Sequence, residues 1–342
     1  YSEVGLIGMV NYLPYMFAPF FVGILLDRVN KSSMLVSGIL LNIFSISMLA
    51  TVHTVPDLML YRSLAGVAHA LFWPSAEVLV SINSPPNMRV NNISTFIASW
   101  ILGFMVGPLV GKMVLDVSDF ATLFQGAAVV MAAGIAPSVI LRKYGWPAVQ
   151  KDLEVRTGMA QIVREVTTHP TLSSVILYYA ITFGVVLAVF PAYMSEASLT
   201  GQEIEILFFV FGITRFATLV IVPKIAGHGV FALALAVAAT AIAMFLSFAF
   251  TSIVSFAAAI ALVGLATSIF YPVTFSLVTR DTPSGEIGAK LGVYNALFGV
   301  GWTAGPVVAG TASDVFGSSS PYLAFAIAGS ILAGSIAVIK KR

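Results

Sequence analysis

Cysteine is missing from all 342 residues, so disulfides and thiolate metal sites are excluded and the redox compartment is not readable. Charge is scarce. Asp, Glu, Lys and Arg make up 9% of the chain against 58% hydrophobic residues, and the mean hydropathy is +0.97. A soluble chain of this length would bury one or two cores and still need a charged surface. Without that surface, lipid must cover most of the outside. The net charge of +2 comes from Lys and Arg spread over short loops rather than gathered in a patch, so nucleic acid is not an expected partner. Catalytic signatures are missing too. There is no His-Glu-x-x-His, no Gly-x-Ser-x-Gly and no pair of carboxylates within an apolar run, which weakens a membrane-embedded enzyme. No Walker sequence occurs, and Gly299, Gly301 and Gly305 follow no strand, so ATP and dinucleotide loops are not indicated. No cofactor and no metal are expected.

What the chain does have is long apolar runs. Eleven spans are read, about Val4–Leu26, Ser32–Val52, Leu58–Ile82, Ile93–Leu115, Phe120–Leu141, Thr171–Met194, Ile204–Ile225, Val230–Phe250, Val254–Thr279, Gly288–Ser313 and Tyr322–Ile339. Each is about 18–26 residues, enough to cross roughly 30 Å of hydrocarbon as a helix. The runs are continuous rather than alternating, which argues against strands and for an all-α membrane protein. Fourteen of the 17 basic residues, from Arg28, Lys31 and Arg89 to Lys340, Lys341 and Arg342, fall on one side of the alternating spans. The other three, Arg62, Lys112 and Arg215, lie inside spans, and the opposite loops hold Asp57, Asp119, Glu196 and Glu203. The basic side is therefore expected to be cytoplasmic, with the C-terminus there, in a multi-pass protein of the plasma membrane.

The chain also repeats itself. Gly103-Phe-Met-Val-Gly107-Pro108-Leu-Val-Gly111-Lys112 returns 198 positions later as Gly301-Trp-Thr-Ala-Gly305-Pro306-Val-Val-Ala309-Gly310. Gly66, Phe72, Pro74, Pro85 and Asp116 match Gly264, Phe270, Pro272, Pro283 and Asp314 in the same register. Three prolines in one register, where chance gives about one or none, make two copies of one unit. The first half is read as residues 1–141, a cytoplasmic linker as 142–169 and the second half as 170–342. Within the linker, Gln150 to Thr167 reads equally as a short surface helix or a plain tether. The repeat places the partner of Thr171–Met194 upstream of residue 1. Since the chain opens on Tyr1 rather than Met, a first helix is expected there, making six plus six; no cleavable signal peptide is seen.

Gly23-Ile-Leu-Leu-Asp27-Arg28-Val-Asn30-Lys31 resembles the signature loop between the second and third helices of the major facilitator superfamily, with Asn30 and Ser32 as departures. Arg62-Ser-Leu-Ala-Gly66 is similar to that family's fourth-helix Arg motif. Gly103 to Lys112 is similar to its fifth-helix motif of proton-coupled exporters, with Lys112 in place of the last Gly. The resemblance covers the whole chain, with three motifs in order on the right spans and the 198-residue repeat. The resemblance implies two six-helix halves about an axis along the membrane normal, in a drug/proton-antiporter-like transporter. It also implies that Asp27 caps the helix starting near Gly288.

The residues allow a reading of their own. Gly103, Gly107 and Gly111 recur every four residues and make a flat face for another helix, with Pro108 permitting a bend; Gly301, Gly305 and Pro306 repeat it. Plain packing and a rocking seam need the same face, and sequence does not separate them. At the cytoplasmic end, Gly23, Asp27, Arg28, Lys31 and Arg89 form the expected gate, with Glu77 as salt-bridge partner of Lys31 or Arg28. Arg62, Gly66, His69, Trp73 and Glu77 fall within about 80° of one another on a helix, so that face does not meet lipid. His69 reads either as a bundle hydrogen-bonding group or as a proton-coupling group. Arg215 sits deep in its span, where an unpaired Arg costs about 2.5–3.5 kcal/mol, so it is expected to face a polar cavity unless carbonyls or a buried acid satisfy it. Trp73, Tyr271, Tyr294 and Trp302 are aromatics with a polar edge on the same spans, for cavity or core. The expected cavity residues are thus Arg62, His69, Trp73, Arg215, Tyr271 and Tyr294. The expected function is a monomeric secondary transporter moving a small molecule by alternating access, as a proton-coupled exporter, with an organic-anion carrier as the alternative.

Overall fold

The computed structural model describes residues 2–26, 28–85, 87–144, 170–225, 229–280, 282 and 286–339. Among them are thirteen helices and no strand. The first half holds α1 Ser2–Leu26, α2 Lys31–Leu49, α3 Val55–Ile82, α4 Arg89–Leu115, α5 Phe120–Ala133 and α6 Ile135–Tyr144. The second holds α7 Pro170–Ala188, α8 Phe190–Glu196, α9 Gly201–Ile225, α10 Gly229–Ala249, α11 Ile253–Thr279, α12 Ile287–Phe316 and α13 Ser320–Ile339. Pro137 and Pro191, neither with an amide to donate, lie just past the breaks at Gly134 and Val189 that separate α5 from α6 and α7 from α8. Nine stretches among the described residues are long and apolar enough to cross a membrane. The count of eleven adds α12, diluted by glycine and Asn295, and α13, whose apolar part is Ser320–Ile336; both fall outside the nine. Phe17, Phe21, Leu109, Met113, Val129 and Phe245 are exposed around the bundle, as a lipid-facing surface requires.

The helix ends keep the repeat. Lys31, Val55 and Arg89 open α2, α3 and α4; Gly229, Ile253 and Ile287, each 198 residues on, open α10, α11 and α12. Thr54 caps α3 through a reciprocal bond with Asp57, and Ser252 caps α11 through the same bond with Ser255. Asp119 caps α5 by accepting from the Thr122 amide at 2.8 Å, which holds its carboxyl below the usual carboxylate range.

Packing repeats as well. α3 rests on α1 at Gly66, where a side chain would strike the Asn11 carbonyl; α11 rests on α9 at Gly264, where a Cβ would lie 3.1 Å from the Phe211 carbonyl. The halves meet along two seams, α1 against α12 and α4 against α9. α1 corresponds to α9 and α4 to α12, so each seam is the other with its halves exchanged, as a twofold relation requires. Along the first seam Gly23 and Gly292 bring two backbones together: a Cβ on Gly292 would lie 2.7 Å from the Pro19 carbonyl and 2.8 Å from the Gly23 Cα.

The glycine motif behaves differently in the two copies. Gly301 and Gly305 press on α7 at Ala180 and Ile181. Gly103 and Gly107 have no atom within 4 Å of a built Cβ, and Gly111 meets only Leu123, so the expected packing face of α4 is bare among the described residues. The physical reason is that the described first half holds no counterpart of α7 to cover it. The end of α6 at Tyr144 runs three residues past the expected half boundary of 141. Asp27, Pro283, the segment from Gln150 to Thr167 and the last three basic residues lie outside the described residues.

Candidate functional site

Where the seams run past each other, both halves line one cavity. α1 contributes Tyr12 and Tyr15, α3 His69 and Trp73, and α4 Ile97 and Trp100. Facing them are Tyr179 and Phe183 from α7, Arg215 from α9, Tyr271 from α11, and Asn295, Phe298 and Trp302 from α12. The walls are largely rings: Trp73 meets Trp100 edge-on at 5.9 Å, Tyr12 meets Trp302 at 4.6 Å, and Tyr179 stacks on Phe270 at 4.0 Å. A mostly apolar, aromatic wall with a few convergent polar groups is the make-up of a small-molecule site. Among the described residues no three His, Asp or Glu side chains gather to hold a metal.

Glu77 and Arg215 are the buried acid and the buried guanidinium of the described residues, and they are not paired with each other. Glu77 Oε1 accepts from the Tyr271 hydroxyl, and Oε2 accepts from Asn295 Nδ2 at 2.6 Å. Asn295 Oδ1 in turn accepts from the Tyr15 hydroxyl, while its Nδ2 also donates to the Leu291 carbonyl at 2.9 Å. The chain of bonds runs from α3 to α12 and back to α1, so it ties one half to the other. Glu77 therefore does not serve the expected gate with Lys31 or Arg28. Both its oxygens are taken by neutral donors of the opposite half, and no ion pair joins it to either residue.

Arg215 is 3% exposed. Its Cζ lies 4.8 Å from the ring centre of Trp100, 5.3 Å from that of Phe183 and 5.2 Å from that of Phe211. Those faces attract the charge, yet Nε and Nη1 have no acceptor.

The structure gathers His69, Trp73, Arg215 and Tyr271 on the cavity wall. Arg62 is half-buried outside that wall, its Nε without an acceptor. Tyr294 is 1% exposed and turned away, sharing a hydrogen bond with Thr274 Oγ1 at 2.8 Å. A residue one position on, Asn295, takes the place expected for Tyr294, because one step along a helix turns a side chain by about 100°. At the basic end Arg28 is exposed, and Arg89 Nη1 crosses between halves to donate to the Thr279 carbonyl at 2.8 Å. Lys112 closes α4 in an exposed pair with Asp116 at 2.8 Å. Reading the sequence missed Asn295, Tyr15 and Trp100. A lone amide inside an apolar helix was the available signal for the first.

The sequence model described as Major Facilitator Superfamily matches residues 1–249 and 172–341. The chain belongs to the Major Facilitator Superfamily. Among curated superfamily members it is 25% identical to the quinolone resistance protein NorA of Staphylococcus aureus over 183 residues, 54% of this chain and 46% of that protein. It is 26% identical over 139 residues to a Na(+), Li(+), K(+)/H(+) antiporter of Planococcus maritimus, 38% of this chain and 33% of that one. The matches thus span about half the length, or less, of these relatives. Two solved structures share the fold. The human organic anion transporter MFSD10 (TETRAN) superposes with a TM-score of 0.84 at 16% identity, over 97% of this chain and 83% of that one. The proton:xylose symporter XylE bound to 6-bromo-6-deoxy-D-glucose gives 0.80 at 14%, over 96% and 84%.

Proposed function

We propose that this superfamily member is a proton-coupled secondary active transporter that exports a small molecule by alternating access. The observation that carries the reading is the Glu77 tie, the one buried carboxylate among the described residues, bonded across the seam by Tyr271 and Asn295 with no cation beside it. A carboxylate that takes up a proton turns one of its acceptor oxygens into a donor. Here that new hydrogen would meet donors already aimed at it, so loading the proton loosens the hold between the halves. The named efflux and antiporter relatives support export and proton coupling. They do not favour the organic-anion carrier, and the family and the named relatives are transporters rather than enzymes. On this reading the basic end faces the cytoplasm at the plasma membrane. The contact of Gly23 with Gly292 and the bond from Arg89 to Thr279 form the closed cytoplasmic side, together with Arg28 and Lys31. The halves are 1–141 and 170–342, and the protein acts as a monomer without a cofactor.

The test is transport by the full-length protein in proteoliposomes, comparing wild type with Glu77→Gln. The variant is expected to lose uptake driven by a pH gradient while keeping gradient-independent exchange of substrate. Gradient-driven uptake at the wild-type rate in Glu77→Gln would sink the reading.

A further inference from the structure

We infer that Tyr271 is a proton relay, the hydroxyl through which Glu77 exchanges its proton with the cavity. The inference rests on the proposed function in taking Glu77 as the proton carrier. What it adds is the route.

Glu77 does not itself reach the cavity. It is fully buried and takes no part in the wall. Its hydrogen-bond partners, Tyr271 and Asn295, both line the wall, so the way from cavity to carboxylate leads through one of them. Asn295 is closed to a proton. Its amide keeps both hydrogens, given to Glu77 and to the Leu291 carbonyl, and its Oδ1 already accepts from Tyr15. A hydroxyl can donate and accept at once. Tyr271 gives its hydrogen to Glu77 Oε1, and among the described residues its oxygen accepts from none, which leaves a lone pair for a proton arriving in water. The half-buried ring is held edge-on by Tyr294 at 5.8 Å and lies beside Phe298 at 5.7 Å, which keeps the hydroxyl on the carboxylate. The other titratable groups facing Glu77 are the hydroxyls of Tyr15 on α1 and Tyr294 on α12. Neither bonds to the carboxylate: Tyr15 donates to Asn295, and Tyr294 shares its hydrogen bond with Thr274.

In the loading step a hydronium ion in the cavity gives a proton to Tyr271 Oη. The Oη–H bond facing Glu77 breaks as its hydrogen joins Oε1. The hydroxyl is restored with a new hydrogen, the carboxylate has become a carboxylic acid, and a water molecule is left behind. The bond between the two side chains is now reversed, from a charge-assisted one to a weaker neutral one. Unloading runs the same bonds backwards.

The test is proton uptake by the full-length protein in detergent after a rapid drop in pH, read by stopped flow with a pH indicator in weak buffer. The uptake missing from Glu77→Gln is the amplitude that belongs to Glu77. Tyr271→Phe keeps the ring and removes the relay. It should take up that same amount at least about tenfold more slowly, within what a positioned proton-transfer group contributes. Tyr271→His, whose ring can also pass a proton, should load faster than the Phe variant. A bond that only braces the helices would not be replaced in that way. Loading of Tyr271→Phe at the wild-type rate, complete loss of its amplitude, or a His variant no faster than the Phe variant overturns the relay. Tyr271→Met, with no exchangeable hydrogen and an adaptable side chain, takes the place of the Phe variant in the same comparison should that one not fold. The two readings fail separately. Full uptake by Glu77→Gln removes Glu77 as the carrier, whereas uptake absent from Glu77→Gln and unslowed in Tyr271→Phe removes the relay alone.

Discussion

Asn295 on α12 donates to Glu77 on α3 at 2.6 Å, across 218 positions of sequence and across the seam between the halves. The same amide accepts from Tyr15, so one side chain of the second half holds two helices of the first. Asn295→Ala strips an acceptor from Tyr15 and a donor from Glu77 at once. Leaving buried polar groups unsatisfied costs about 1–3 kcal/mol each time. A clear fall in thermal midpoint in detergent is expected, with a smaller one for Tyr271→Phe. In a Glu77→Gln background the Tyr271→Phe effect should shrink, because the two residues act on one bond; strictly additive losses would deny that coupling.

Gly292 and Gly23 form a tight crossing at the basic end. Gly292→Val puts atoms where the Pro19 carbonyl and the Gly23 Cα now sit. The bundle should then fail to close there. Because the chain has no cysteine, one introduced at Phe298→Cys on the cavity wall is an unambiguous reporter. A membrane-impermeant thiol reagent added from the basic side should label it in the Gly292→Val protein and not in the Gly292 protein. Identical labelling would show that this crossing is not the closure.

Arg89 supplies a second tie at that end through the Thr279 carbonyl. Arg89→Gln should raise amide hydrogen exchange in the last turn of α11 and leave the middle of α12 protected. Unchanged exchange at both places would make the bond dispensable.

The glycine motif offers a paired comparison. Gly301→Leu drives a side chain into Ala180 and Ile181, an overpacking of about 1–3 kcal/mol or more. Gly103→Leu meets nothing within 4 Å and replaces a poor helix former, so a change within about 0.5 kcal/mol, or a slight gain, is expected in this 342-residue chain. Equal destabilisation by the two would mean that the α4 face is occupied after all.

The repeat was legible because its markers are local. Thr54 and Ser252 start the same helix, and Pro74 and Pro272 occupy the same turn, so register needs no knowledge of packing. Arg215 and His69 stood out for a different reason, since an ionisable group in an apolar run has few places to go. Glu77 was misplaced because its distance along α3 from the span end says nothing about donors on another half. Its partners become neighbours only once α3 meets α11 and α12. Tyr294 and Asn295 were exchanged because α12 is buried on nearly every side, and a helix without a polar face gives no phase from which to choose the cavity side. Gly103 and Gly301 show the same limit from the other direction: one motif, written twice, packs only where a helix is present to receive it.

The 198-residue register also bears on how such a molecule descends. The position matching Glu77 is Phe275, fully buried, and the position matching Arg215 is Phe17, 55% exposed. Each ionisable group therefore belongs to one copy alone. Two copies of the present first half would carry the acid twice without the guanidinium, and two copies of the present second half the guanidinium twice without the acid. The two halves are therefore not interchangeable: a pair built from either half alone would lack one of the two buried groups that the present cavity region holds.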